Sequence, residues 1–543
     1  MENRCGAKIC FFGYSAKEAD ENIRPACTNP SAYNPHYGIF YHVQARNCHV
    51  LHIFATLLTI TTMSKTHPAP APSAALSLVP LAALVILLAL VISLFGGDAI
   101  GGGSQFSLLA ASAVCAAIAM WRYRCPWQRL EDAVMVNMHS ATPAIIILLL
   151  IGAIAGTWMA GGVIPTLICY GLRILRPSIF LPASCLICAV VSLLTGSSWT
   201  TIATVGVALM GIGRALGFDD GWIAGAIISG AYFGDKISIM SDTTVLASTT
   251  AEVPLFSHIR YMLLTTVPSL AVALGVFCAA GLAASPADEA ETLQIEAALR
   301  ETFHITPWLL AVPAATGILI SRKLPAIITL FASVLLAAAA MAVFQPEIIC
   351  RIAESDTPSF MASFKAVVLA STTDTAVETG NPLLNDLVAT GGMGGMMNTV
   401  WLIICAMCFG GVMYGSGMLS AISKIFLRMA RRTASVVGAT VGSGIFFNLV
   451  TGDQYISIIL TGNLFRHLYD DRGLERRLLS RSVEDSATVT SVLIPWNSCG
   501  MTQSTVLGVA TMTYMPYCIF NIVSPLMSVA AAAIGYKIYS KKQ

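Results

Sequence analysis

Two aspartates, Asp235 and Asp242, stand seven residues apart (242 − 235) in a run, Gly221 to Thr250, that is otherwise apolar or hydroxyl-rich. On an unbroken helix this spacing puts both carboxylates on one face, two turns apart. Ser238, Ser241, Thr243 and Thr244 surround them. If the helix unwinds at Gly234 or near Ser241, the freed carbonyls and these hydroxyls become the oxygen shell that a hard cation wants. A carboxylate in a mostly dry cavity can hold either H+ or Na+, and competition at one carboxylate is enough for exchange. Lys236 is either a counter-ion that keeps one aspartate ionised or a side chain that pairs or snorkels, and the second reading is preferred. The other half of the chain carries Glu484, Asp485, Thr488, Thr490, Ser491, Asn497, Ser498 and Thr502 in a stretch broken by Pro495. Asp485 follows a charged run, so a plain helix N-cap is its alternative role. The expected cation- and proton-binding set is Asp235, Asp242, Ser238, Ser241, Thr243, Asp485, Thr488 and Asn497, with Na+ at Asp235 and Asp242, no catalytic residue and no cofactor.

Such carboxylates do chemistry only if something holds them away from water. Of the 543 residues 56% are hydrophobic and 11% charged, against about 25% charged in an average soluble protein, which excludes a soluble globular enzyme. No Asp, Glu, Lys or Arg occurs between Ala133 and Leu172, Pro177 and Gly213, Tyr261 and Ala287, Leu387 and Ser423, or Ser486 and Tyr536. Each stretch is long enough to cross or enter a bilayer, which takes about 20 apolar residues. Spans are expected at Ala75 to Phe95, Phe106 to Trp121, Pro143 to Trp158, Gly162 to Leu175, Tyr261 to Leu282, Trp308 to Ile320, Leu324 to Phe344 and Met396 to Met413. Arg122, Arg124 and Arg129 mark a cytoplasmic loop, with the turn around Asp98 outside. Polar groups in the run from Gly221 to Thr250 cannot face lipid, so they face an interior path.

Two segments are too short to be ordinary spans. Ser178 to Leu194 and Trp199 to Gly213 flank a polar break at Thr195, Gly196, Ser197 and Ser198. Arms of about 16 residues reach about 24 Å, short of a hydrocarbon core of about 30 Å. Thr433 to Val450 likewise ends at Thr451, Gly452 and Asp453, and only twelve residues, Gln454 to Phe465, precede Arg466. Both tips read Thr-Gly-x-x-aromatic, and an acidic, hydroxyl-rich segment follows each at a similar distance: Asp235 after Thr195 (235 − 195 = 40) and Asp485 after Thr451 (485 − 451 = 34). Paired interruptions at corresponding places in two halves point to a transporter's binding site. The expected fold is an all-α polytopic membrane protein of two structural repeats, with re-entrant hairpins and interrupted transmembrane helices. Its parts are a tail or misassigned extension at 1–62, a first repeat at 63–285, an acidic loop at 286–306 and a second repeat at 307–543. Arg466, Arg472, Arg476, Arg477 and Arg481 argue that the loop after the second hairpin is cytoplasmic.

The rest is exclusion. A net charge of +2 and the lack of a basic patch interleaved with aromatics give no case for nucleic acid. The fifteen cysteines are scattered, many of them singly inside apolar runs, where Cys is a small hydrophobe. Within the N-terminal segment 1–62, Cys48, His49 and His52 lack metal-ligand spacing. Asn398, Asn448 and Asn521 read as helix-bridging amides, and Asp374 and Glu378 as water-facing. The aspartyl-protease alternative fails because Tyr232-Phe233-Gly234-Asp235 lacks the first Gly of Gly-x-Gly-Asp and Tyr469-Asp470 sits in a charged run. His-Glu-x-x-His, Walker A and Gly-x-Ser-x-Gly are also absent.

Gly225-Ala226-Ile227-Ile228-Ser229-Gly230-Ala231-Tyr232-Phe233-Gly234-Asp235-Lys236-Ile237-Ser238, Ser241-Asp242-Thr243-Thr244, Thr451-Gly452-Asp453-Gln454-Tyr455, Glu484-Asp485-Ser486 and Ile494-Pro495-Trp496-Asn497-Ser498-Cys499-Gly500 together resemble the NhaC family of Na+/H+ antiporters. The resemblance runs from about Leu76 to the C-terminus. It implies a multi-pass protein of a bacterial inner membrane, with the fold of the wider ion transporter superfamily. The implied partners are Na+, H+, membrane lipid and a second copy as a homodimer. Some members look instead like sodium-coupled exchangers of malate and lactate, so small organic acids stay on the list. Ile239 and Met240 replace the family's usual Pro and Leu, Val245 its Asn, and Val492 a Pro. These departures bear on ion stoichiometry and substrate, while the carboxylates remain. An organic anion would need a fixed cation or helix N-terminus, for which Lys236 and the two tips are the candidates.

Overall fold

The computed structural model describes residues 72–95, 102–284, 289–322, 324–375, 385, 388–430 and 432–536. The expected tail at 1–62, the start at Met63, the turn around Asp98, the loop residue Asp288, and Glu378 lie outside the described residues. Among those described, the chain is helical, with one isolated bridge, Thr375 to Thr390, and no strand. Eight helices are long and apolar enough to cross a membrane, and two further bent pairs, Leu293–Thr302 with Pro307–Ile320 and Thr511–Tyr517 with Ile519–Ile534, raise the count to ten. The protein is a multi-pass, all-α membrane protein.

Two helices, α1 (Val79–Phe95) and α2 (Gly103–Tyr123), lead into α3 (Trp127–Ala160). The span expected from Pro143 begins sixteen residues earlier, at Trp127 (143 − 127), and Pro143 lies inside the helix. Membrane helices tolerate a proline where neighbouring groups can satisfy the freed backbone carbonyl. The expected span Gly162 to Leu175 is corrected too: α4 (Val163–Ile174) has 12 residues and reaches about 18 Å, too short to cross.

Next come α5 (Pro177–Thr195), a turn at Gly196 and Ser197, and α6, which runs from Ser198–Thr201 through a π turn, Ile202–Gly206, into Val207–Ala215. After α7 (Asp220–Ile237) the chain is extended at Ser238 and resumes as α8 (Asp242–Thr250), followed by α9 (Leu255–Ala283). Further on, α10 (Met397–Gly415) and α11 (Met418–Met429) precede α12 (Thr433–Thr451), a turn at Gly452 and Asp453, and α13 (Gln454–Asp471). The last units are α14 (Arg476–Val483), continuing through a π turn at Glu484–Thr488, a break before α15 (Ser498–Leu507), and α16 (Ile519–Ile534). The second arm does not stop at Arg466. It runs to Asp471 and is 18 residues long, because Arg466 and the charges after it find partners rather than ending the helix.

From α5 and α12 onward the two halves repeat with a constant offset in numbering (448 − 192 = 256). Ser192 Oγ donates to the Ala231 carbonyl at 2.6 Å, and Asn448 Nδ2 to the Ala487 carbonyl at 2.7 Å. The Thr195 and Thr201 hydroxyls meet at 3.3 Å, and those of Thr451 and Ser457 at 3.1 Å. Ser241 caps α8 as Asn497 caps α15. Gly196 and Gly452 end α5 and α12 at φ +69° and +67°, a left-handed conformation that costs glycine little and other residues more.

In the first repeat α7 lies hard against α5. A Cβ at Gly230 would overlap the Cys185 carbonyl oxygen, whereas one at Gly275, on α9, would meet nothing within 4 Å. Overpacking of this kind costs about 1–3 kcal/mol. Gly230→Ala is therefore expected to lower the thermal melting temperature in detergent by several degrees. Gly275→Ala should leave it unchanged, and equal shifts would mean that this contact does not hold the repeat together.

Candidate cation-binding site

Asp235 sits in the last turn of α7 and is 7% exposed. The backbone N–H and the hydroxyl of Ser198, first residue of α6, donate to its Oδ2 at 3.1 and 2.7 Å. The positive end of α6 thus faces a carboxylate, the arrangement that makes helix N-termini anion partners. Beyond Asp235 the chain unwinds between Ser238 and Ser241, the second of the two places anticipated. Ser238 Oγ bonds the Leu193 carbonyl at 2.8 Å, and Thr244 Oγ1 the Lys236 carbonyl at 2.9 Å. The Ser241 and Thr243 hydroxyls meet at 2.9 Å, and all four of these hydroxyl residues are buried. Unwinding ends the one-face relation of the two aspartates: Asp242 opens α8 and is exposed while Asp235 is buried. The expectation that both lie deep is corrected for Asp242, because the break turns it out of the packed face. Tyr455 of the second tip lies within electrostatic reach of both.

In the second repeat Asp453 caps α13, accepting from the Ile456 N–H at 3.0 Å, and Ser498 Oγ reaches it at 3.4 Å. The tip of one repeat so meets the break of the same repeat, as Ser198 meets Asp235. The corresponding pair to Ser198 and Asp235 is Gln454 and Ser491 (454 − 198 and 491 − 235), with Ser491 Oγ donating to Gln454 Oε1 at 3.3 Å. Asn497 Oδ1 accepts from the Cys499 N–H at 3.0 Å, and Thr488 is buried with its hydroxyl unbonded. Backbone geometry is repeated while charge is not.

Asp485 is neither an N-cap nor the counterpart of Asp235. It lies inside the helix that continues from α14, in the place of Ser229 in the first repeat (485 − 256). Its Oδ1 receives Lys236 Nζ and Ser524 Oγ, the latter at 2.9 Å, and its Oδ2 receives Thr265 Oγ1 at 2.9 Å. Lys236 and Asp485 form an ion pair with both side chains fully buried, and Lys236 also donates to Ser524 Oγ at 2.8 Å. Pairing, the preferred reading of Lys236, is what the structure has. Asn448 and Asn521 do bridge helices through their amides.

Sequence reasoning passed over Thr265 and Ser524, which only the packing of α9 and α16 brings to Asp485, and over Arg481, which it left in a loop. Arg481 is buried, 3.9 Å from Asp485 and 4.9 Å over the ring of Tyr261. The neighbouring arginines are also engaged: Arg466 and Arg476 with Glu252, Arg476 with Asp470, and Arg477 with Glu475.

A buried carboxylate held under a helix terminus, where interrupted helices of two repeats meet inside a multi-pass helical protein, is the architecture of a secondary transporter. Residues 230–536 match the Na+/H+ antiporter family. The chain is 36% identical to the Na+/H+ antiporter NhaC of Bacillus subtilis (strain 168) over 425 residues, 78% of this chain and 90% of that protein. It is 34% identical to the arginine/ornithine antiporter ArcD of Halobacterium salinarum over 481 residues, 87% and 94% of the two chains. To the malate-2H+/Na+-lactate antiporter of Bacillus subtilis it is 33% identical over 418 residues, 77% and 86%. The chain belongs to the Na+/H+ antiporter family and is a secondary antiporter, as the resemblance to NhaC implies.

Proposed function

We propose that the protein exchanges Na+ for H+ across a bacterial inner membrane by competition of the two cations for its buried carboxylates, with Asp235 as the Na+-binding member. The observation that carries this is the site around Asp235: an acid 7% exposed, oriented by Ser198 and flanked by an unwound segment whose oxygens can complete a hard-cation shell. Ser238, Ser241 and Thr243 contribute to that shell, and Asp242 guides Na+ at its mouth. The NhaC relative supports the same reading. Organic-acid exchange, as in the malate and lactate relative, has less support, because Lys236 is tied to Asp485 and Ser524 and is not a free cation for a carboxylate substrate.

The test is pH-sensitive dye fluorescence in proteoliposomes holding an imposed pH gradient. Na+ alone should collapse the gradient, and malate, lactate, arginine or ornithine should add nothing. A response to Na+ that appears only with an organic acid would replace cation exchange by organic-acid exchange, and a response to arginine or ornithine without Na+ would assign an amino-acid substrate.

A further inference from the structure

Away from the cation site the two repeats carry the same ion-paired corner with its charges exchanged. In the first repeat Arg214, near the end of α6, holds Asp220, the first residue of α7, Nε to Oδ1 at 2.7 Å and Nη2 to Oδ2 at 3.0 Å. Their counterparts (214 + 256 = 470 and 220 + 256 = 476) are Asp470 on α13 and Arg476 at the start of α14, joined through the same atoms at 3.1 and 2.8 Å. Beside each corner lies the turn residue that ends a half-helix of the other repeat. After α15 it is Gly508, at φ +66°, where a Cβ would stand 3.8 Å from Arg214 Nη2. After α8 it is the counterpart of Gly508, Glu252 (508 − 256), at φ +54°. The turns are alike: the Glu252 N–H donates to the Thr249 carbonyl at 3.0 Å and the Gly508 N–H to the Thr505 carbonyl at 3.4 Å. A left-handed conformation is easy for glycine and strained for glutamate, and such strain persists where the surroundings hold the residue in place. Here they do. Glu252 accepts from Arg466 Nη1 at 2.7 Å and also from Arg476, both in the second repeat. Two residues earlier, Thr250 packs so closely on Gly462 of α13 that a Cβ there would overlap it. Arg466 stands where the first repeat has Met210 (466 − 256).

We propose that Glu252 is an ionic latch, fastening the far end of α8 to the second repeat and opening in each transport cycle, and that Gly508 leaves α15, the counterpart of α8, without one. α8 starts at the break in the first repeat, with Ser241 as its cap and Asp242 as its first residue. Its nine residues place the latch about 14 Å from that break, so a tether there restrains the half-helix without touching the site. Glu252 is exposed and its two arginines are partly so. Ion pairs in contact with water are weak singly and stronger as a network, and salt screens them. Two arginines on one carboxylate therefore hold α8 firmly enough to define a state and loosely enough to release it. At the other corner Arg214 faces a residue with no side chain, and nothing charged at the end of α15 answers it. Two half-helices whose backbones repeat are thus held unequally, and the asymmetry lies in one pair of corresponding residues.

The latch is tested with the full chain in proteoliposomes by two measurements. The first, hydrogen–deuterium exchange of the α8 and α15 amides, needs no transport. Glu252→Gln keeps the strained turn and removes the charge, and should speed exchange across residues 242–250 about fivefold. Raising the ionic strength with choline chloride should speed it in wild type and not in that variant. Gly508→Glu offers Arg214 a carboxylate and should slow exchange across residues 498–507 about threefold relative to Gly508→Gln, which carries the same strain without the charge. The second measurement rests on the antiport reading: Glu252→Cys with Arg466→Cys, joined by a short bismaleimide, should bring Na+/H+ exchange to background, while either single variant treated with the same reagent continues to exchange. Unchanged α8 amides in Glu252→Gln, equal α15 amides in the two Gly508 variants, or transport through the cross-linked pair would overturn the latch. Wild type that never exchanges Na+ for H+ would overturn the antiport reading alone, and hydrogen exchange then decides the latch by itself.

Discussion

Asp235→Asn is expected to abolish Na+-dependent collapse of a pH gradient and to weaken Na+ binding about 100-fold, equivalent to about 2.7 kcal/mol. The substitution keeps shape but removes the charge that accepts both Ser198 donors, and charge-assisted hydrogen bonds are each worth about 1.5–3 kcal/mol. A neutral amide in that place offers a cation only a weak carbonyl dipole. Asp242→Asn should do much less, raising the half-saturating Na+ concentration while transport continues, because Asp242 is exposed at the protein surface rather than enclosed like Asp235. Half-saturation measured by dye fluorescence over a Na+ series separates the two. Equal losses in both variants would mean that the carboxylates act as one site and that the break at Ser238 to Ser241 does not divide them.

The second large effect concerns stability. Lys236→Met should leave Asp485 as a buried carboxylate without its counter-ion, a change that costs about 3–5 kcal/mol in comparable sites. Arg481, unbonded and 3.9 Å away, recovers part of that if it can close the gap. The expected result is a marked loss of monodisperse protein on size-exclusion chromatography and a lower melting temperature. Lys236→Met with Asp485→Asn should recover folding, since removing both charges removes the desolvation penalty with the attraction, yet it should not recover exchange. A double variant as unstable as the single one would show that Thr265 and Ser524, rather than the charge pair, hold Asp485 in place.

Much of this architecture was legible because a bilayer allows so few solutions. Uncharged runs had to be helices, and two Thr-Gly tips followed by polar segments had to mark interrupted ones. Legibility failed where side chains from distant helices decide the outcome. Asp485 looked like the counterpart of Asp235 because each follows a tip at a similar distance, 485 − 451 against 235 − 195. The mismatch between those two separations was the clue: the offset between the repeats pairs Asp235 with Ser491, which lies beyond Asp485 by the same amount. Lengths also misled at Arg466, where a charge was taken as a helix end. Glu252, on the turn after α8, receives that arginine and lets α13 continue. Depth was misjudged for Asp242, since a shared face follows from sequence spacing only for as long as the helix stays wound.

The Lys236–Asp485 pair joins residues 249 positions apart, and this has a consequence for how the protein is made. At ribosomal speeds of about 5–20 residues per second, Lys236 is made on the order of 10–50 seconds before its partner. During that time the first repeat holds a lysine without the aspartate that pairs with it in the complete protein. Arrival of the second repeat supplies that partner and closes the pair. A chain stopped before residue 485 cannot form it, so this ion pair exists only once most of the second repeat has been made.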